Sequence, residues 1–178
     1  QSFAPDVKTS YEMKKKKLRE TVEESVAAHM LSDVPLGSFL SSGIDSAVIT
    51  AVASKLQPGI KAFTVGFNVN GYTELSDAKE ISSHLDIDHI LLECNLDDFL
   101  RSYERVIYHL DSPVADPSVV AIYLISKEAS RHVKVVLSGE GSDEMFAGYR
   151  VYDSSRAADK INSLPSLLKA PLKMLHKI

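Results

Sequence analysis

Apolar and polar positions alternate along the chain in blocks that predict helices and strands in turn. The first block places Leu18, Val22, Val26 and Met30 four positions apart, which is the spacing of an amphipathic helix. Short apolar runs bounded by turn residues predict strands, and the longer apolar or amphipathic segments between them predict helices. The predicted strands are residues 36–40, 60–67, 89–92 and 134–137, and the predicted helices are residues 11–31, 46–56, 74–85, 96–110, 117–130, 155–164 and 166–177.

This order of elements predicts an α/β fold, with a mostly parallel sheet and helices on both of its faces. The chain has 178 residues, of which 44% are apolar, so it is long enough for one domain with a substantial core. We expect that domain to span residues 11–152. Residues 1–10 are interpreted as a linker or tag remnant, and residues 153–178 as a truncated helical extension.

Composition narrows the range of functions. A formal net charge of −4 provides no basic surface for nucleic acid or for an anionic membrane. Cys94 is the single cysteine, so an intramolecular disulfide and a cysteine-rich metal site are both excluded. The sequence contains no stretch of transmembrane length, and its first residues lack the pattern of a signal peptide. A cytoplasmic protein is expected.

The first candidate binding segment is LSSGIDS, which begins at Leu40 and lies between a predicted strand and an apolar helix. A tight turn leading into a helix near Asp45 presents unpaired N–H groups at the positive end of the helix dipole. Gly43 permits close approach of a ligand. Three hydroxyl groups of the loop donate hydrogen bonds without adding charge, those of Ser41, Ser42 and Ser46. The pattern is typical of a phosphate-binding loop, in which Asp45 calls for a bridging divalent cation.

A simpler interpretation of this loop is that Ser42 or Asp45 caps the following helix. Serine and aspartate are common N-cap residues, so composition alone supports capping at least as well as phosphate binding. The sequence of this loop does not decide between the two.

A second loop, SGEGSDEMFAGY, favours a binding site. It follows the fourth predicted strand and places Glu140, Asp143 and Glu144 among three glycines. Carboxylates this close repel one another unless a cation or a shifted pKa is part of the arrangement. The alternative is a solvated acidic turn that caps a helix at Ser142 or Asp143. Because both loops follow carboxyl ends of predicted strands, we expect them to face one crevice.

Together the two loops resemble a known family. LSSGIDS resembles the SGGxDS pyrophosphate loop of N-type ATP pyrophosphatases, and SGEGSDEMFAGY resembles SGEGxDExFxGY of the synthetase domain of asparagine synthetase and β-lactam synthetase. The segments FTVGF, ELSDAKEISSHLDIDH and LDSPVADPS resemble the same family in the same order, so the resemblance covers roughly residues 11–152. It implies the Rossmann-like fold of the adenine nucleotide alpha hydrolases.

The resemblance also implies a site for ATP and Mg²⁺. The residues that would bind ATP are Leu40, Ser41, Gly43, Asp45, Ser46, Val65 and Gly139. Asp45 and Asp143 would bind magnesium, and Glu140 would accept a proton from the attacking amine. Weaker candidates for shaping an amino acid pocket are Asp111, Asp116 and Ser118; for Asp116 we favour helix capping.

The implied reaction is asparagine synthesis by a ligase. The aspartate side chain would attack the α-phosphorus of ATP, and ammonia would attack the resulting β-aspartyl-AMP. Ammonia would come from glutamine through a glutaminase domain that precedes this segment in the full-length protein. A homodimer is left open, because exposed apolar surface favours association. Two alternatives also remain open: a nucleotide-binding module without catalytic activity, and a β-lactam synthetase-like relative that joins another acid and amine.

Several positions depart from the family pattern. Ser42 stands where the family usually has a glycine, so the loop must tolerate a Cβ atom or adopt a different turn. Ala147 replaces a frequent glycine and is expected to be harmless. The chain begins QSFAP rather than with a nucleophilic cysteine, and Cys94 is interpreted as buried packing. Neither Lys169 nor Lys173 can be matched to the catalytic lysine of the family.

Overall fold

Residues 6–67, 75–112 and 114–152 are described by a computed structural model. The chain divides into two compact units, residues 1–139 and residues 140–178. The strands are β1 Leu36–Phe39, β2 Lys61–Phe67, β3 Asp88–Cys94 and β4 Val135–Leu137. The helices are α1 Tyr11–His29, α2 Ile44–Leu56, α3 Leu75–Leu85, α4 Leu96–His109, α5 Ser118–Ala129 and α6 Ser142–Phe146.

The four strands form one parallel sheet in the order β3-β2-β1-β4. β1 is an inner strand, and Gly37 aligns with Lys61 of β2 on one side and with Val136 of β4 on the other. The chain passes outward from β1 to β3 and then returns to add β4 beside β1. The carboxyl ends of β1 and β4 therefore form a topological switch point, where open α/β sheets bind their ligands.

Helices cover both faces of this sheet. Neighbouring residues of β2 point to opposite sides of the sheet, so they contact different helices. Ala62 packs with Ala78 of α3, whereas Phe63 packs with Ile125 and Ala129 of α5. The largest cluster on the α1 and α2 side consists of Val26, Leu36, Ala53, Ile60 and Leu137. The predicted parallel sheet with helices on both faces is confirmed.

The ends of the helices follow local chemistry. Asn95 and Asp98 form a reciprocal capping box at the start of α4, in which each side chain accepts a hydrogen bond of 3.0 Å from the other residue's backbone N–H. At α5 the carboxylate of Asp116 accepts the N–H of Ser118 at 2.9 Å, although Pro117 occupies the N-cap position. Across the described ranges, none of the helices combines the length and the hydrophobicity of a membrane-spanning segment.

The predicted elements of the sheet region are all present, with different ends. α2 begins at Ile44 rather than Ser46, and β3 is longer than predicted, extending from Asp88 to Cys94. Cys94 is 3% exposed, which confirms that it is a packing residue. Several predicted features fall outside the described residues: the first five residues, the loop at 68–72, the start of the helix at 74, both helices after residue 154, Lys169 and Lys173.

Candidate active site

The loop after β1 is held together by its own hydroxyl groups. The Ser46 side chain accepts the N–H of Ser41 at 3.0 Å and lies 2.9 Å from the Ser41 hydroxyl oxygen. The Ser46 hydroxyl is also 3.2 Å from the carbonyl oxygen of Gly43, to which it can donate. The N–H of Gly43 donates to the Ser41 hydroxyl oxygen at 3.1 Å. Ser46 thus joins both ends of the turn.

This arrangement leaves the amino end of α2 without a side-chain cap. Gly43 is the N-cap residue, with φ −73° and ψ 149°, and a side chain supplies no hydrogen bond there. The first N–H groups of a helix have no partner within the helix, so those of Ile44, Asp45 and Ser46 point out of its positive end. The interpretation of Ser42 or Asp45 as a helix cap is therefore wrong, because Gly43 occupies that position. An uncapped helix start is suited to an anion.

Ser42 does not strain the loop. Within the described residues, positive φ angles at residues other than glycine occur only at Asp86 and Ala147. Ser42 therefore adopts a backbone conformation that any residue can take. Gly43 also has a negative φ, and a Cβ atom there would meet only the Ser41 hydroxyl oxygen, at 3.2 Å. The value of Gly43 is its small size and not its conformational freedom.

Gly139, which follows the neighbouring strand β4, packs against the loop after β1. It comes two residues after β4, and a Cβ atom built on it would lie 2.9 Å from the Ser46 backbone nitrogen and 3.0 Å from the Asp45 carbonyl carbon. Real Cβ atoms do not approach backbone this closely, so only glycine fits against the first turn of α2. The structure thus brings together six of the predicted residues: Leu40, Ser41, Gly43, Asp45, Ser46 and Gly139.

The other candidates in the first unit lie elsewhere. Val65 is in β2 and packs into the cluster that contains Phe63 and Ile125. Asp111 and Asp116 are exposed. The Ser118 hydrogen bonds hold the pKa of Asp116 below its usual value, as expected for a carboxylate that accepts the N–H of a helix start. This geometry supports the capping interpretation of Asp116.

The second unit contains the acidic part of SGEGSDEMFAGY, which forms the short helix α6. Gly141 precedes this helix with φ 89°, a left-handed conformation that favours glycine. Neither Ser142 nor Asp143 caps the helix, because Gly141 is the N-cap and both residues lie in the first turn. A Cβ atom on Gly148 would overlap Asp143 Oδ1, so the Asp143 carboxylate lies directly against the Gly148 backbone.

Glu144, one of the three clustered carboxylates, accepts a hydrogen bond within the second unit. The Tyr149 hydroxyl donates to Glu144 Oε1 at 2.8 Å. This hydrogen bond to Glu144, with smaller contributions from desolvation and from Glu144, Asp143 and Glu140, raises the pKa of Tyr149 to about 12. Glu144 therefore stabilises the end of α6. Gly148 and Tyr149 were not among the predicted site residues, although they belong to the quoted motif.

Ala147 carries a conformational cost that its sequence position does not reveal. It follows α6 with φ 58° and ψ 43°, in the left-handed region. A non-glycine residue there costs about 1–2 kcal/mol relative to its preferred conformations. The expectation that alanine in place of the family's glycine is harmless is therefore wrong, because Ala147 raises the conformational energy of the backbone at this position.

We expect Ala147→Gly to stabilise the protein by as much as about 1 kcal/mol, measured by urea denaturation. Asp86→Gly is the matched control. Asp86 also has a positive φ, 51°, but aspartate adopts this region readily, so the free energy of unfolding should change little there. A loss of stability in Ala147→Gly would contradict the strain assigned to this position.

The first unit places one carboxylate, that of Asp45, beside the loop after β1. Asp45 is half-buried in the first turn of α2, next to the serine hydroxyl groups of the loop. Mg²⁺ prefers carboxylate oxygens together with substrate phosphates, so this carboxylate fits the ion. Among residues 6–67, 75–112 and 114–152, no group of three or more His, Cys, Asp or Glu side chains is arranged to hold a metal ion on its own.

The fold is that of the PP-loop ATP pyrophosphatases. The chain is similar to a glutamine-dependent NAD⁺ synthetase from Acinetobacter baumannii in complex with ADP, with a TM-score of 0.55 and 19% identity over 84% of this chain and 29% of that one. It is also similar to a U34-tRNA thiolase from Methanococcus maripaludis, with a TM-score of 0.55 and 17% identity over 90% of this chain and 57% of that one. At these identities the likeness establishes the fold alone.

The chain belongs to the asparagine synthase family, whose sequence model matches residues 17–177. It is 40% identical over 171 residues to the glutamine-hydrolysing asparagine synthetase 1 of Bacillus subtilis (strain 168). This match covers 96% of the chain and 27% of that relative, so the chain spans about a quarter of the relative's length. The resemblance drawn from the two loops is confirmed.

Proposed function

We propose that this chain forms the ATP-binding core of a ligase that activates a carboxylate with ATP and converts it to an amide. The observation that carries the proposal is the uncapped start of α2, surrounded by hydroxyl groups and closed by Gly139. Membership of the asparagine synthase family supports aspartate as the acid and asparagine as the product.

In this proposal the first step is adenylation. An oxygen of the aspartate side chain attacks the α-phosphorus of ATP, a new O–P bond forms, and the bond to the bridging oxygen of pyrophosphate breaks. The N–H groups at the start of α2 and the hydroxyl groups of Ser41 and Ser46 bind the departing pyrophosphate. These hydrogen-bond donors thus stabilise the negative charge that develops on the departing pyrophosphate. Leu40, Val65 and Gly139 are proposed to line the nucleotide. For Val65 this rests on the family resemblance alone, because Val65 packs in the cluster that contains Phe63 and Ile125.

The second step is amide formation. Ammonia attacks the carbonyl carbon of β-aspartyl-AMP, a C–N bond forms, and the C–O bond to AMP breaks. One proton leaves the nitrogen, and Glu140 is proposed to accept it because a carboxylate near the amine is the right type of group. Glutamine would supply the ammonia in the whole protein, through a glutaminase domain.

Asp45 and Asp143 are the proposed magnesium ligands. Magnesium, when bound, would offset the negative charge of pyrophosphate. The contact of Asp143 with Gly148 supports this role, since a carboxylate with a fixed position is more easily used as a ligand. A homodimer, cytoplasmic localisation, a module that binds ATP without turnover, and a β-lactam-forming relative all remain predictions from the sequence.

Calorimetric titration with ATP, with and without Mg²⁺, tests the proposal, followed by an assay of pyrophosphate release with aspartate and ammonia. Magnesium-dependent binding with release only in the presence of aspartate supports the proposed ligase. Binding without release favours the module without catalytic activity. Absence of binding would contradict the nucleotide site itself.

Asp45→Asn should weaken binding of Mg-ATP by about tenfold, because the neutral amide loses most of its attraction for the divalent cation. Binding of ATP without magnesium should change much less. Asp77→Asn is the matched control, because Asp77 also lies in the first turn of a helix, α3, but outside the phosphate loop. Equal affinities for Mg-ATP in Asp45→Asn and in the unmodified protein would exclude Asp45 as a magnesium ligand.

A further inference from the structure

A chain of side-chain hydrogen bonds leads from α3 to the start of the phosphate loop. His89 of β3 lies at its centre, with Nδ1 2.7 Å from the Ser82 hydroxyl oxygen and Nε2 2.7 Å from the Thr64 hydroxyl oxygen. The Thr64 hydroxyl in turn donates to the carbonyl oxygen of Leu40. Leu40 is the residue directly before Ser41. β3 and β2 are thereby connected to the residue that follows β1, at the point where the loop begins.

Most of this chain is buried, and His89 is its more accessible member. Ser82 and Thr64 are each 3% exposed, Leu40 is 2% exposed, and His89 is half-buried. Burial lowers the pKa of His89, and the nearby Asp88 carboxylate opposes this shift only in part. At neutral pH the imidazole is therefore uncharged, with one nitrogen that donates and one that accepts.

The hydroxyl protons then fix which nitrogen carries the hydrogen. Thr64 uses its one hydroxyl proton for the Leu40 carbonyl oxygen, so towards His89 it can only accept. Nε2 must carry the hydrogen and donate to Thr64. Nδ1 then accepts from the Ser82 hydroxyl, which turns away from its other acceptor, the Lys79 carbonyl oxygen at 2.9 Å. Each of the four groups then has a hydrogen-bond partner, and every donation runs the same way, from Ser82 through His89 and Thr64 to Leu40.

Leu40 is anchored to β2 on both sides as a result. Its N–H donates to the Phe63 carbonyl oxygen at 2.9 Å, and its carbonyl oxygen accepts from Thr64. We propose that His89 is a positioning residue for the phosphate loop: its Nε2–H holds the Thr64 hydroxyl on the Leu40 carbonyl and so fixes where Ser41 begins the turn. The proposal rests on the proposed function only in assigning ATP to this loop.

Two substitutions of His89 separate positioning from general stability. In His89→Gln the side-chain amide can place an N–H near the position of Nε2, whereas in His89→Asn the shorter side chain cannot reach Thr64. We expect His89→Asn to speed hydrogen exchange of the amides in residues 40–46 without ligand, and to weaken Mg-ATP binding about fivefold, the effect of one net hydrogen bond. His89→Gln should remain within about twofold of the unmodified protein on both measurements.

Thr64→Val and Thr64→Ser address the same question if His89→Asn does not fold. Val keeps the shape and removes the hydroxyl, and Ser keeps the hydroxyl, so only Thr64→Val should alter the loop. In the Thr64→Val background, His89→Asn should have no further effect on the loop, since its route to Leu40 is already broken.

The two measurements distinguish the failure of this inference from the failure of the proposed function. If the unmodified protein bound no ATP, the proposed function would be wrong, and hydrogen exchange in residues 40–46 would still decide the role of His89. Equal exchange in the Asn and Gln variants would overturn the positioning role. So would faster exchange spread evenly over the sheet, because that result indicates general destabilisation.

Discussion

Gly139→Ala will weaken Mg-ATP binding by about 5- to 150-fold, the range that corresponds to an overpacking cost of about 1–3 kcal/mol. The new methyl group would lie 2.9 Å from the Ser46 nitrogen and 3.0 Å from the Asp45 carbonyl carbon, so the first turn of α2 must move. Backbone cannot yield as the tip of a flexible side chain does. Isothermal titration calorimetry measures the change in affinity.

Gly37→Ala is the matched control for this experiment. A Cβ atom on Gly37 would be equally crowded, at 2.7 Å from the Phe63 ring and 2.8 Å from the Lys61 carbonyl oxygen, but these neighbours are outside the loop. Both variants should lower the melting temperature, and only Gly139→Ala should also lower the affinity. Unchanged affinity in Gly139→Ala would mean that ATP does not use the start of α2.

Ser46→Ala will weaken Mg-ATP binding by about 10- to 100-fold. It removes the side chain that accepts the Ser41 N–H at 3.0 Å and lies 2.9 Å from the Ser41 hydroxyl oxygen. Leaving a partly buried donor without its acceptor costs about 1–3 kcal/mol, and the hydroxyl proposed to bind pyrophosphate is lost as well. The loss should be seen both in calorimetric affinity and in faster hydrogen exchange of the loop.

Ser54→Ala provides the comparison on the same helix. The Ser54 hydroxyl donates only locally, to the Ala51 carbonyl oxygen at 3.0 Å, so its removal should leave ATP affinity unchanged. If Ser46→Ala and Ser54→Ala bound ATP equally well, the Ser46 hydroxyl would have no part in binding.

The fold was predictable because its strands and helices have distinct hydrophobic periods. Apolar runs such as KAFTVGF predicted the strands, and their alternation with helices predicted a parallel sheet. Neighbouring strands were not predictable from one sequence, since local patterns carry no information on which strands pair. The adjacency of β1 and β4 is a result of the structure.

The candidate site could be proposed from its residue types, but its local geometry could not be predicted. The two loop motifs identified Asp45, Ser46 and Gly139, because unusual residues followed predicted strands. The choice between phosphate binding and helix capping depended on which residue takes the N-cap, and tertiary contacts decide that. Thr64 and His89 gave no signal at all, because a buried hydrogen bond between two strands leaves no periodic trace in the sequence.

The pairing of β1 with β4 has a consequence for synthesis on the ribosome. Leu36 aligns with Val135, so the strand pairing that brings Gly139 to the loop joins residues that are far apart in the sequence. Contacts of such long sequence separation form late, because loop-closure entropy must be overcome first. In a nascent chain whose β4 has not yet emerged from the ribosome, the loop after β1 is already synthesised, but Gly139 is not yet packed against it. The proposed nucleotide binding would therefore begin only when this sheet is complete.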